Sequence, residues 1–475
     1  MQYDKHIEKS KCILISTPMI GNTLPRGILS IASFLEKNGY STSVINLSYY
    51  LGFKSEWSFQ DIKLILEKIF QNSDPILIGV SNQITPDYYC CLEILKICKQ
   101  LKEKIITVIG GTLVTFIDID CIESPLVDIV VRGEGEWTML DLVTALEENK
   151  DLRNVKGITF KTNKGVIRTA DRDPGNLYNL PPIDFKLLPF DCVKKLKIYG
   201  MLNRGCAFNC SFCGESAFWK SPRNFPVETV IDEMKTLNNV YKNPMLSIDD
   251  SMVYLGSKQF SEICKLIKKD KININPYFYI LSRVDTISDK GLRDLTGTGI
   301  QIIIMGMESG SSNVLEKMNK KTSREKIIRA CKKLRENSLF PMGFWMIGHP
   351  GDNPDAANSS LELLRYLFRN DLLYDADISI FSPSPGTPYF EHPERYGIEI
   401  LSNDWSEWYT SGASAPVCQL KHFSANEIMM YYKNALEIVQ SEKPKSEISI
   451  NSPLIDGNWK SYKGTSMTKN SGYLL

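Results

Sequence analysis

Short apolar runs alternate with amphipathic stretches through most of this chain, and the alternation stops once and restarts. A run that is apolar throughout suits a strand covered on both faces, and such strands belong to parallel sheets with helical crossovers. In the first part the runs are Cys12–Ser16, Ser43–Leu47, Ile76–Ser81, Ile105–Ile109 and Asp128–Arg132. Between them, Gly27–Asn38, Asp61–Gln71, Tyr88–Leu101 and Glu136–Glu148 carry helical spacing. The pattern predicts an α/β, doubly wound Rossmann-like sheet with helices on both faces. Gly157–Thr169 predicts a hairpin turning at Asn163-Lys164-Gly165, and Pro174, Pro181, Pro182 and Pro189 then mark a linker.

The second set of strand candidates is Ile198–Leu202, Met245–Ile248, Tyr277–Leu281, Gln301–Met305, Phe344–Ile347 and Ile378–Phe381. Val227–Asn238, Gln259–Lys269, Arg324–Asn337 and Ala356–Phe368 read as helices between them. Six strand–helix units fall short of the eight of a closed barrel, so a partial, laterally open (β/α)6 barrel is expected. The C-terminal segment, mainly helical, begins near Glu399 with Trp405, Trp408 and Tyr409, whose rings are read as packing that covers the barrel mouth. Ser424, with Glu427 three residues on, caps one clear helix there. The expected domains are 1–170, a linker over 171–196, the barrel over 197–395 and a C-terminal segment over 396–475.

Net charge is +1 over 475 residues, which gives no reason to expect nucleic acid or an anionic membrane as partner. No apolar run is long enough to span a bilayer and the start lacks a secretory pattern, so a cytoplasmic protein is expected. That setting decides how the twelve cysteines are read, because a disulfide frame belongs to small exported domains. Cys12, Cys98, Cys121, Cys192, Cys264, Cys331 and Cys418 are scattered among apolar neighbours and read as small buried hydrophobes. Cys90 and Cys91 are adjacent, a poor chelate on a helix.

Cys206, Cys210 and Cys213 alone stand at ligand spacing, just after the first strand of the second array. Loops at the carboxyl ends of parallel strands are where such folds place their sites. Three thiolates on one loop hold three irons of a cubane and leave the fourth open to an outside ligand. Zinc wants four ligands, and no nearby His or Cys-x-x-Cys completes a set here.

Cys-x3-Cys-x2-Cys with Phe212 before the last cysteine resembles the signature of radical S-adenosylmethionine (SAM) enzymes. The resemblance covers roughly 199–390. It implies a [4Fe-4S] cluster on Cys206, Cys210 and Cys213 whose open iron binds SAM, and cleavage of SAM to a 5′-deoxyadenosyl radical. It also implies SAM contacts from Phe212. On the same resemblance Asp249 and Asp250, ending the second strand, are expected toward the amino group, and Arg283, ending the third, toward the carboxylate. It implies Glu308, ending the fourth, toward the ribose, and Ile347 and Gly348, in the turn after the fifth, toward the adenine. Asp352 stands where the family's adenine turn closes with glutamate, and Ser384-Pro385-Gly386-Thr387-Pro388 resembles its sixth-strand ending.

The first array resembles the cobalamin-binding domain that precedes one class of these enzymes, on Ser81–Pro86, Gly110–Thr115 and Arg132–Glu136. Glycines at strand ends admit a nucleotide-like tail against bare backbone. The resemblance implies cobalamin contacts from Ser81, Thr85, Gly110, Gly111, Thr115 and Glu134. Two positions depart from the pattern. Ser16–Gly21 lacks the histidine that serves related corrinoid proteins as lower cobalt ligand, and Leu113 replaces a histidine many relatives carry. Cobalamin is therefore expected without histidine ligation, which favours the nucleophilic Co(I) state. A flavodoxin-like domain that has lost the corrinoid is the plainer alternative.

The resemblance implies a cobalamin-dependent radical SAM methyltransferase that carries a methyl group from SAM, via methylcobalamin, to an unactivated carbon or phosphorus of a small-molecule, natural-product or peptide-derived substrate. A reducing partner such as flavodoxin or ferredoxin is implied with it. The alternatives are a radical SAM oxidoreductase, cyclase or ring-rearranging enzyme, with or without cobalamin, and a binding protein with a structural metal site.

Overall fold

The computed structural model describes residues 10–443, apart from 55, 72, 243–245, 249, 275–278, 410 and 411. The chain divides into two units, one holding residues 10–175 and 183–196, the other 176–182 and 197–443 among those described. The boundary at Leu196/Lys197 falls where the second alternation begins, while most of the proline-rich linker packs with the first unit.

Five parallel strands build the first sheet: β1 (Cys12–Ser16), β2 (Thr42–Asn46), β3 (Leu77–Asn82), β4 (Ile106–Gly111) and β5 (Ile129–Val131). The hairpin β6 (Ile158–Thr162) and β7 (Gly165–Arg168) extends it antiparallel, giving the order β2-β1-β3-β4-β5-β6-β7. Every residue of β1 and β2 is buried, which is why both read as continuous apolar or small runs. Each fully buried Ile or Leu contributes about 1.5–3 kcal/mol relative to exposure. Helices Arg26–Lys37, Phe59–Phe70, Tyr88–Leu101 and Gly135–Glu147 fill the crossovers, the second opened by a reciprocal Ser58/Asp61 capping box. In a 2-1-3-4-5 order the chain reverses direction between β1 and β3, and ligands of open sheets sit at that crevice.

The second unit carries β8 (Ile198–Gly200), a short antiparallel pair of β9 (Asn203–Arg204) and β10 (Arg223–Asn224), then β11 (Leu246–Ile248), β12 (Tyr279–Arg283), β13 (Ile302–Glu308), β14 (Phe340–Ile347) and β15 (Asp375–Ile380). Its main sheet is parallel throughout, in the order β8-β11-β12-β13-β14-β15. Among the described residues β8 and β15 do not pair, so the six-stranded array is open. Of the expected strands, Tyr277–Leu281 and Met245–Ile248 begin on residues outside those described.

Beyond β15 the helix Ala425–Glu442 carries the expected Ser424/Glu427 capping box. The segment before it also holds a two-stranded ribbon, β16 (Ile398–Ile400) and β17 (Cys418–Leu420), that was not expected. Trp405 and Trp408 stack on each other at 4.9 Å between centroids and both lie 6.0 Å from Phe390, so these rings are packing. None of the described helices is long and apolar enough to cross a membrane.

Candidate active site

Nine of the twelve cysteines are buried, and the three that are only half-buried are Cys206, Cys210 and Cys213. Their loop leaves the β8–β9 end of the second sheet, where Asp250, fully buried, takes the backbone N–H of Leu202 at 2.9 Å and of Asn203 at 3.2 Å. The same carboxylate accepts from Asn203 Nδ2 at 2.9 Å. Asp250 thus ties the start of the cysteine loop to the end of β11. Its neighbour Asp249 lies outside the described residues.

The far side of the loop is bound to the turn after helix Ser312–Lys317. Ser211 N donates to Met318 O at 3.1 Å, Ser211 Oγ to Lys317 O at 2.8 Å, and Asn319 Nδ2 to Asn209 O at 2.8 Å. The Tyr389 hydroxyl lies 2.9 Å from Ser211 Oγ and donates to Lys317 O at 3.1 Å. Phe212 packs on Val314, Leu315, Met318 and Ala356, with the Lys320 ammonium 5.6 Å from its ring centre.

Arg283, at the end of β12, is buried and almost fully engaged. Nε donates to Asp285 Oδ1 at 2.9 Å, Nη2 to Asp285 Oδ2 at 3.1 Å and also to Lys320 O, and Nη1 to Cys210 Sγ at 3.3 Å. Its plane lies 3.8 Å from the Phe208 ring centre. Five N–H groups are all a guanidinium has, and the Nε/Nη2 fork that a carboxylate takes is held by Asp285. In this structure Arg283 links β12 to the cysteine loop.

Glu308 closes β13 at a register shift, in the left-handed region at φ 65°. Its Oε1 sits 2.6 Å from Lys320 Nζ, and both side chains are buried. A Cβ on Gly306 would lie 2.4 Å from that oxygen and 2.5 Å from that nitrogen, so only glycine leaves room for the pair. Lys320 was not singled out by its sequence. Its partner is twelve residues away across a helix and a turn, and no local spacing marks it.

After β14, Ile347 is buried and Gly348 turns at φ 89°. Gly348 N donates to Asp352 Oδ2 at 2.9 Å and Asn353 N to Oδ1 at 3.1 Å, so Asp352 closes this turn. Burial pushes its carboxyl up to about 6. His349 Nδ1 lies 2.9 Å from Pro350 O, and because a carbonyl only accepts, the proton sits on Nδ1. Burial lowers this imidazole to about 3 and keeps it neutral, edge-on to Phe212, Phe381 and Tyr389.

In the first unit, Ser16, Ser81 and Gly110 share one register row across β1, β3 and β4 at the carboxyl edge, with Asn82 and Gly111 one residue further. Thr85 opens the 3-10 turn Thr85–Asp87, and Glu134 caps the helix Gly135–Glu147. Gly111 turns at φ 126°, and a Cβ there would come 2.0 Å from Asn82 O. The Thr115 hydroxyl donates to Gly111 O at 2.8 Å and accepts from Gly133 N at 2.9 Å. It joins two glycine turns, where the sequence pointed to a hydroxyl offered to a ligand. Asp87 is fully buried and accepts from Thr17 Oγ1 at 2.9 Å, from Asn82 Nδ2 and from Gln83 N at 3.4 Å. Burial pushes its carboxyl up to about 7 despite these donors. Ser16 Oγ, Asn46 Nδ2 and Asn82 Oδ1 are buried without a hydrogen-bond partner.

Two family models match this chain, the radical SAM superfamily over residues 201–364 and the B12 binding domain over residues 17–143. An uncharacterised methyltransferase of Pyrococcus horikoshii is 30% identical over 418 residues, covering 86% of each chain. The chain belongs to the radical SAM superfamily. An anaerobic magnesium-protoporphyrin IX monomethyl ester cyclase of Rubrivivax gelatinosus is 28% identical over 78% of this chain and 66% of its own. Among solved structures, the radical SAM methyltransferase TsrM of Kitasatospora setae, with cobalamin and a [4Fe-4S] cluster bound, shares the fold at TM-score 0.72 and 17% identity over 92% of both chains.

A radical SAM enzyme with a B12 binding domain uses a [4Fe-4S] cluster, SAM and cobalamin, and the residues in place fit these groups. Among the described residues no three His, Cys, Asp or Glu side chains are gathered to hold a single ion. The loop offers three half-buried thiols instead, and a cubane binds each thiolate to a different iron. At the first sheet, the three orphaned polar atoms of Ser16, Asn46 and Asn82 stand at the ends of β1, β2 and β3, beside the β1/β3 crevice. Buried polar atoms are nearly always satisfied, so an unpaired row there suits a polar ligand.

Proposed function

We propose that this radical SAM enzyme is a cobalamin-dependent methyltransferase. It moves a methyl group from SAM, by way of the corrinoid, to an unactivated carbon or phosphorus of a small-molecule or natural-product intermediate. The observation that carries the reading is the presence, in one chain, of a loop with three half-buried thiols and a sheet with unsatisfied polar atoms at its switch point. The methyltransferase relative of matching length supports it. When bound, the corrinoid supplies a methyl carrier, and SAM at the cluster supplies a hydrogen-abstracting radical.

The chain's own residues divide the work. Cys206, Cys210 and Cys213 hold iron, and Asp250, Ser211 and Asn319 fix their loop from both sides. Phe212, Glu308, Ile347 and Gly348 line the SAM side of the site, with Lys320 holding the Glu308 carboxylate in place. Ser81, Thr85, Gly110, Gly111 and Glu134 stand at the sheet edge that takes the corrinoid, with Thr115 bracing two of its turns. A low-potential donor of the flavodoxin or ferredoxin type supplies electrons. A reducing cytoplasm suits a chain with twelve free cysteines.

A second reading, ring formation without methyl transfer, is favoured by the cyclase relative. The two separate without knowledge of the acceptor. The anaerobically prepared protein, loaded with corrinoid and reduced, is incubated with SAM and the products are quantified. Methyl donation gives S-adenosylhomocysteine stoichiometric with bound corrinoid. A cyclase gives 5′-deoxyadenosine alone, and that outcome overturns the methyltransferase reading. Protein that binds no corrinoid beside an intact cluster overturns it equally.

A further inference from the structure

From Lys317 to Arg335 the chain carries nine lysines and arginines against one acid, Glu325, in a protein whose net charge is only +1. Three of the nine are engaged: Lys320 with Glu308 at 2.6 Å, Lys333 with Asp289 at 2.7 Å and Arg335 with Asp371 at 2.5 Å. The others make no ion pair among the described residues, and Lys317, Lys321, Lys326, Arg329 and Lys332 are exposed. The last three follow at three-residue spacing on the helix Arg324–Glu336, so they share one side of it. A solvated helix face ordinarily mixes both signs, and like charges this close repel one another. This face is positive throughout.

The near end of this segment is fastened to the cysteine loop. Lys317 O accepts from Ser211 Oγ and the Tyr389 hydroxyl, Met318 O accepts from Ser211 N, and Asn319 Nδ2 donates to Asn209 O. Lys320 O takes Arg283 Nη2, and Nη1 of the same guanidinium reaches Cys210 Sγ at 3.3 Å. One side chain thus joins the basic segment to a cysteine sulfur through two hydrogen bonds. Iron held on that loop is reduced by an electron from outside the chain. A surface of one sign steers an oppositely charged partner and raises its rate of encounter, and this one begins beside the group to be reduced.

We propose that the exposed basic face spanning Lys317 to Lys332 is the docking surface for an acidic electron-transfer protein, one that carries a low-potential flavin or iron–sulfur group. Docking there seats the carrier beside the cysteine loop. One electron leaves the carrier and is taken up at the iron held by the loop, no bond is made or broken, and no proton moves. The inference rests on the cluster assignment and gives the reducing partner a place on the chain. It does not depend on the fate of the methyl group, so it holds equally for a cyclase.

The face variant Lys321→Gln, Lys326→Gln, Arg329→Gln removes three charges from this surface. The control variant Lys68→Gln, Lys104→Gln, Lys164→Gln removes three exposed charges from the first unit. Each holoenzyme is reconstituted anaerobically, assayed for iron, and titrated calorimetrically with an acidic flavodoxin and with an acidic ferredoxin, at about 50 mM and about 300 mM salt. Wild type is expected to bind at least one carrier, about tenfold more weakly at the higher salt. The face variant is expected to keep its full iron content and to bind that carrier about tenfold more weakly at low salt, with the control within about twofold of wild type. Wild type that binds neither carrier overturns the proposal, as does a face variant that binds as wild type does. A control that weakens as much as the face variant overturns it too, because the attraction is then one of net charge. Iron loss in the face variant also overturns it, since these side chains then only brace the loop. A face that takes duplex RNA or a phosphatidylglycerol vesicle at the same salt, and neither carrier, belongs to another partner and overturns it. Wild-type protein that assembles no cluster fails the underlying assignment, a separate and recognisable outcome.

Discussion

Lys320 Nζ and Glu308 Oε1 lie 2.6 Å apart, both side chains buried, on a backbone that places Glu308 in the left-handed region. Two charges withdrawn from water are tolerated because each neutralises the other, and removal of one strands its partner. Lys320→Met is expected to destabilise the protein by about 3 kcal/mol. The double variant Lys320→Met with Glu308→Leu is expected to recover part of that loss. Calorimetric melting of the three proteins checks this, and a double variant no better than the single would show that the ion pair is not what holds the turn.

The cysteines are expected to separate cleanly by position. Cys210→Ala removes a thiolate from the three-cysteine loop and is expected to abolish iron–sulfur absorbance after reconstitution. Cys331→Ala, buried on the helix Arg324–Glu336, is expected to keep full iron content. Its expected defect is thermal, about 1–2 kcal/mol from a small cavity. Equal iron loss in both would contradict the division between one metal-binding loop and nine packing residues.

Gly111→Ala tests the edge of the first sheet. The backbone there is at φ 126°, and an added methyl would come 2.0 Å from Asn82 O. Both the conformation and the clash oppose it, so a loss of about 2 kcal/mol or more is expected, with weakened corrinoid retention on gel filtration. Gly52→Ala, with open space around its Cβ position although φ is also positive, is expected to cost less and to leave corrinoid binding intact.

Asp87 gives the first unit a pH dependence whose sign follows from burial. Its folded-state pKa is raised to about 7 from an ordinary 3.8. Between those values the folded state holds a proton that the unfolded chain has released. Stability contributed by Asp87 is therefore present at acid pH and lost as pH rises toward 7, at roughly 1.4 kcal/mol per unit at most. Asp87→Asn removes the titration. Urea denaturation at pH 5 and pH 7 is expected to find the variant gaining on the wild type as pH rises, and a gap independent of pH would refute the assignment.

The fold was legible wherever a side chain's role was local. β1 was bounded from its apolar run, and Tyr88–Leu101 from its helical spacing. The cysteine loop stood out because chelation demands neighbours in sequence. The ribbon β16/β17 was too short to show a period of two. Arg283 stood out because it ends a strand, but its fork on Asp285, two residues on, is visible only in the folded chain. Lys320 gave no signal at all, since its partner Glu308 lies twelve residues away and only the turn brings them together.

The unpaired polar atoms of Ser16, Asn46 and Asn82 carry a consequence for the life of the protein in the cell. A molecule that satisfies them binds the folded first unit and not its unfolded chain, so it shifts the balance between the two by mass action. The amount of intact enzyme then follows the supply of that molecule, and scarcity thins the population through proteolysis before any change in gene expression is needed.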